Sequence, residues 1–197
     1  MAQPVDPSDV LMTGENSFIR LSPDGGKTLS SRVSHWRVLW CPAGAGHAMF
    51  MQSPLIGERV RIYSDNIAVA RWLQRTIETL LYPAFADVSS PVAEAQFDRS
   101  GDPRSATMET VSTATDQIVL TWYDCVEPFV LTMAPGMGGR PLGVFSTFFP
   151  AKSAQIEING EFAPYTPWLE MRGDRQSTSA CLAWSETWVK PRAVRAV

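Results

Sequence analysis

Apolar and polar positions alternate with a period of two along most of the chain. Residues 59–63 (Arg-Val-Arg-Ile-Tyr) show it most simply, as a strand with one buried face does. Residues 36–40, 47–52, 92–98, 106–114, 118–125, 129–133, 142–149, 152–158 and 179–189 read as further strands. They are rich in β-branched and aromatic residues and are bounded by Gly, Pro, Asn and Asp. The period changes once: Ile67, Ala70, Leu73, Ile77, Leu80 and Leu81 recur at helical spacing. Ser64 or Asp65 stands where an N-cap is needed, and Pro83 ends the segment, which predicts one helix over about 65–82. Asn159-Gly160 is a hairpin-turn dipeptide.

Roughly nine or ten strands joined by short turns favour antiparallel pairing, and so many strands in a small domain tend to close and so lose their edges. The expected class is mainly β (α+β): an antiparallel β-barrel or strongly curved sheet, with the helix plugging or flanking it. A compact cone with the helix packed on one curved sheet is the alternative. The expected barrel is calycin-like in architecture alone, since no Gly-x-Trp stands near the first strand, and no family follows. The expected organisation is a polar, partly mobile arm at 1–32, a single barrel-like domain at 33–190 and a tail at 191–197. The arm contains the turn sequence Ser22-Pro23-Asp24-Gly25-Gly26 and a patch at 18–21 that suits a tether or a short strand.

Composition narrows the function classes. The 197 residues, 45% hydrophobic and 19% charged, suffice for one sizeable core. A net charge of −3 argues against a nucleic-acid partner, which needs a basic face. No apolar run reaches the ~20 residues of a membrane span. Cys41, Cys125 and Cys181 are scattered, and the N-terminal residues have no basic and apolar signal pattern, so a cytoplasmic location is expected.

Two carboxylates interrupt aromatic runs. Alternation places Leu120, Trp122, Asp124 and Val126 on one face of a strand, and Leu182, Trp184, Glu186 and Trp188 on one face of the last. If those faces line a barrel, Asp124 and Glu186 sit among aromatics. Desolvation would then raise their pKa and suit them to acid–base work. The bland alternative pairs each with an arginine such as Arg37, Arg61 or Arg71. His47 follows a glycine-rich loop and suits proton transfer at a barrel mouth. Tyr63 and Tyr123 could orient a substrate oxygen.

The chain carries 7 Trp, 9 Phe and 8 Met, and Trp40, Trp122, Trp184, Trp188 and Phe148 are the candidate walls of a site for a flat apolar ligand. There is no HExxH, no GxSxG and no P-loop, and the Gly136-Met137-Gly138-Gly139 loop does not open a helix. No metal and no cofactor is therefore expected. These features point to a cofactor-independent acid–base enzyme (lyase, isomerase or dehydratase) acting on a small apolar or aromatic molecule inside the barrel. Asp124, Glu186 and His47 would be catalytic. A non-catalytic, lipocalin-like carrier is the alternative. An assembly module whose aromatic surface joins copies into a homo-oligomer is a third reading.

Overall fold

The computed structural model describes residues 6–191; the first five residues of the expected arm and residues 192–197 of the expected tail lie outside that range. The chain opens with a meander of β1 (Val10–Leu21), β2 (Ser31–Trp40), β3 (Gly46–Gln52) and β4 (Arg61–Ser64). The helix follows. An α segment, α1 (Ile67–Leu73), passes through a π-helical turn (Gln74–Glu78) into a last α turn, α2 (Thr79–Leu81). Next come β5 (Val92–Glu94), β6 (Gln96–Asp102), β7 (Ala106–Ser112), β8 (Gln117–Cys125) and β9 (Phe129–Met133). The long β10 (Gly143–Ile158), the short β11 (Glu161–Phe162), the hairpin β12 (Leu169–Arg172) and β13 (Arg175–Thr178), and β14 (Ala180–Val189) complete the chain.

The main sheet runs β5-β4-β3-β2-β1-β14-β10-β8-β7-β6, and it forms the nearly closed barrel that the alternation predicts. Its two edges, β5 and β6, are neighbours in the chain, separated only by the buried Ala95. Pairing is antiparallel except for β4 with β5, where the helix supplies the crossover a parallel pair requires.

Asn66, not Ser64 or Asp65, caps the helix: its Oδ1 accepts from Ala68 N at 3.1 Å and from Val69 N at 3.4 Å. β1 occupies much of the expected arm and lies mid-sheet. Its polar stretch Thr13–Ser17 hid it, because Glu15 and Ser17 face a polar part of the barrel while Asn16 faces a cavity. Pro150 does not break β10. It stands where the strand exchanges its partner β14 for β8, and its carbonyl accepts from Val126 N at 2.9 Å.

Strand alternation sorts the core. Val33, Met49, Met51, Tyr63, Val111, Leu120, Trp122, Ile156 and Leu182 come from strands all round the barrel and fill its interior. The opposite face of β1–β4 and of neighbouring strands carries Trp36, Phe50, Ile62, Val144 and Trp188, and the helix covers it through Val69, Ala70, Leu73 and Ile77. The helix therefore flanks the barrel. Among the described residues no helix is long and apolar enough to cross a membrane.

Candidate functional site

A β-bulge decides where Glu186 points. Between Trp184 and Thr187, β14 holds one more residue than β10 opposite, and Ser185 takes a left-handed φ of 54°. The extra residue reverses the alternation. Leu182 and Trp184 pack with the barrel interior, whereas Glu186 and Trp188 turn to the outer face. The four do not share one side, as simple alternation predicts. Gly14 pairs with Glu186 across this irregular stretch; a Cβ there would collide with the Arg37 carbonyl oxygen.

On the outer face, Glu186 lines a cavity of about 280 Å³. Phe18, Phe148, Val144, Leu131 and Trp188 form apolar walls; Asn16, Arg20, Tyr82, Arg140, Glu170 and Arg172 supply polar groups. The cavity is bounded by the end of the helix, by β1, β10 and β14, and by the β12 strand laid over them. Glu186 is buried and accepts a hydrogen bond from Trp188 Nε1 at 2.5 Å. Burial raises its pKa to about 7, against the opposing pull of the donors Trp188 and Ser146. Both protonation states are therefore populated at neutral pH.

A second buried carboxyl lies behind this wall. Glu78, at the end of the π-helical turn, accepts from Trp36 Nε1 at 2.5 Å and from Ser34 Oγ. Asn16 Nδ2 in turn donates to Ser34 Oγ at 2.9 Å, which ties Glu78 to the cavity lining. Burial raises Glu78 to about 7 as well, and its Oε2 has no hydrogen-bond partner. π-Helical turns concentrate at functional positions.

The barrel mouth is a separate place. His47, Phe97, Arg37, Arg99 and Glu109 line a space of about 470 Å³ there. Asp65 accepts from the His47 backbone N–H at 2.6 Å, and its other oxygen lies 2.7 Å from Nδ1. This orients the ring with Nε2 as its proton-accepting nitrogen. Phe97 stacks on His47 at 5.1 Å, and Arg99 bonds Glu15 and Glu109. The buried His35 is held neutral, its pKa well below 6.5, first by desolvation and then by Arg99 and the other basic groups nearby.

The predicted residues are thus divided. Glu186, Trp188 and Phe148 meet in the outer cavity, and His47 stands at the mouth. Asp124 is not among aromatics: it is exposed, with φ 54°, and accepts from Ser153 Oγ at 2.9 Å. The left-handed backbone there ends the alternation that would have carried it inward. Tyr63 is buried and donates to Asp116 at 2.9 Å, so its oxygen is already used; burial pushes its pKa up to about 12. Trp122 fills the barrel and donates to Phe18 O at 3.0 Å. Trp184 packs on Phe149 at 5.0 Å, away from Glu186.

Trp40 is 50% exposed, because Leu39 is an extra residue in β2 opposite Thr13–Gly14 and turns the next side chain outward. Tyr123 follows the inward Trp122 and so faces outward, half-buried. Sequence reasoning missed Asn16, Arg20, Glu78, Tyr82 and Arg172. For Glu78 a signal existed: Gln74 and Glu78, one turn apart, both fall on the apolar stripe of the helix and are both fully buried.

Among the described residues no group of three His, Cys, Asp or Glu side chains is placed to hold a metal ion. Compared with protein-family models, with curated proteins and with solved structures, the chain gives no match.

Proposed function

We propose that this protein is a cofactor-independent acid–base enzyme, an isomerase or a lyase (dehydratases included), working on a small molecule in the outer cavity. One observation carries the reading: a buried carboxyl, Glu186, with a pKa near 7, faces a cavity with aromatic walls. Such a group can act alone. Its carboxylate takes a proton from one carbon and its acid form returns it to another, which is an isomerisation. If the proton goes instead to a departing hydroxyl, the products are an alkene and water. Glu186 ends each cycle in its starting state. Phe18, Phe148 and Trp188 would hold the body of the substrate, and Asn16 and Tyr82 would bond its oxygens.

A second reading places the base at the barrel mouth, favoured by the His47–Asp65 pair. Glu186→Gln keeps the acceptor for Trp188 and removes the titrating proton. Against a panel of small aromatic and unsaturated compounds, it is expected to lower turnover by about 10²–10⁴-fold with little change in binding. Loss of turnover in His47→Gln but not in Glu186→Gln moves the chemistry to the mouth. Binding without turnover in the wild type identifies a carrier instead.

A further inference from the structure

The polar wall of the outer cavity carries more positive charge than its neighbours neutralise. Arg20, Arg140 and Arg172 line it against the carboxyls of Glu170 and Glu186. Glu170 is already engaged: Arg20 Nη2 donates to both of its oxygens at 2.7 Å, and Arg172 Nη2 to one at 3.0 Å. Arg140 makes no ion pair among the described residues. The Nε–H groups of Arg20 and Arg172 are buried with no hydrogen-bond partner. Those two N–H groups are closed off from the cavity, but the Arg20 and Arg172 side chains stay 18% and 26% exposed and present the rest of their guanidinium groups to it. Two guanidinium groups in one cavity wall are a common receptor for an anion with paired oxygens.

The apolar side of the same cavity limits what the anion can be attached to. The Arg172 guanidinium lies 5.1 Å from the ring centres of both Phe18 and Phe148, and Arg20 lies 5.6 Å from that of Phe18. The cations are therefore stacked on the aromatic wall. A ligand that reaches their donors must lie along Phe18 and Phe148 with its anionic end at β12. A space of about 280 Å³ suits a single ring with a short side arm better than a nucleotide or a lipid chain.

We infer that the ligand of the outer cavity is a small aromatic or unsaturated carboxylate, its carboxylate held by Arg172 and Arg20 and its body by Phe18 and Phe148. This names the substrate class of the site proposed above, and it rests on that reading for turnover but not for binding. A carboxylate fits better than a phosphate because its two coplanar oxygens match a guanidinium fork and it loses less on leaving water beside phenyl rings.

The test is calorimetric titration of the full chain with benzoate and trans-cinnamate, their uncharged amides, and phenyl phosphate. The carboxylates are expected to bind at least about tenfold more tightly than the amides. Arg172→Met should remove that preference, lowering carboxylate affinity about tenfold and amide affinity much less. Glu170→Gln, which takes away the competing carboxylate, should tighten carboxylate binding several-fold. A role for Arg172 in folding alone would weaken carboxylates and amides together. Equal affinity for carboxylates and amides, no saturable binding of either, or stronger binding of phenyl phosphate overturns the inference. Glu186→Gln separates the two claims. Arg172-dependent carboxylate binding with no turnover in the wild type refutes the enzyme reading and leaves this one standing.

Discussion

Glu78 offers a measurement of what burial does to a carboxyl against the pull of its two donors, Ser34 and Trp36. Its carboxyl has a pKa of about 7 in the folded chain against an ordinary 4.5. Between those values the unfolded chain has released its proton and the folded chain still holds it, so stability falls as pH rises and levels off above about 7. The loss amounts to about 3 kcal/mol for this one group. Glu78→Gln removes it. The amide oxygen can still accept from Ser34 and Trp36, but the new amide nitrogen takes the place of the unpartnered Oε2. In the protonated wild type the Oε2–H is itself a buried donor without a partner, so the amide adds little cost at about pH 5. The variant should therefore be close to the wild type in stability at about pH 5 and more stable at about pH 8. Urea unfolding at both pH values measures the gap, and its change of about 3 kcal/mol is the quantity of interest. Glu186, which titrates in the same range, is present in both proteins; the charge of Glu78 is the smallest of the causes that shift it, so most of its contribution cancels. An identical gap at both pH values would refute the claim that burial holds this proton.

Further outcomes follow from single contacts. His35 is buried and neutral when folded but takes a proton below about 6.5 when unfolded, so its contribution falls as pH drops through that value; His35→Gln should flatten that limb of the stability profile. Gly14→Ala drives a methyl into the Arg37 carbonyl between β1 and β2 and should cost at least about 2 kcal/mol in urea unfolding. Trp122→Phe loses the bond to Phe18 O and part of the ring volume that fills the barrel, a loss of about 2–3 kcal/mol by the same assay.

Much of this molecule was legible from local patterns. Alternation in residues 59–63 and 118–125 reports a buried face whatever the strand pairs with, and the helix over 67–81 shows in its stripe of Ile, Ala and Leu. The antiparallel pairing of β6, β7 and β8 follows from their short turns, whereas the pairing of β1 with β14 and the choice of the helix to flank the barrel rather than plug it show only in the structure. β1 was hidden because its side chains are polar on both faces around Asn16 and Ser17. β12, which carries Glu170 and Arg172 to the cavity, alternates as Leu-Glu-Met-Arg over only four residues, too short a run to stand out, and its polar positions rather than its apolar ones are the more buried.

The sequence by itself determined the class of fold, the helix and the presence of carboxylates among aromatics. Only the tertiary structure decided which carboxylate is buried. The one-residue bulge at Ser185 turns Glu186 outward, and the left-handed backbone at Asp124 leaves that residue in water. Both are irregularities of a single residue, and a period-two pattern cannot register an insertion whose only trace is a change of face. The cavity itself joins β1, the helix end, β10, β12 and β14, segments up to about 170 residues apart in the chain. Its charge and its buried protons arise from that juxtaposition, because desolvation depends on what surrounds a side chain in space and not on its neighbours in sequence.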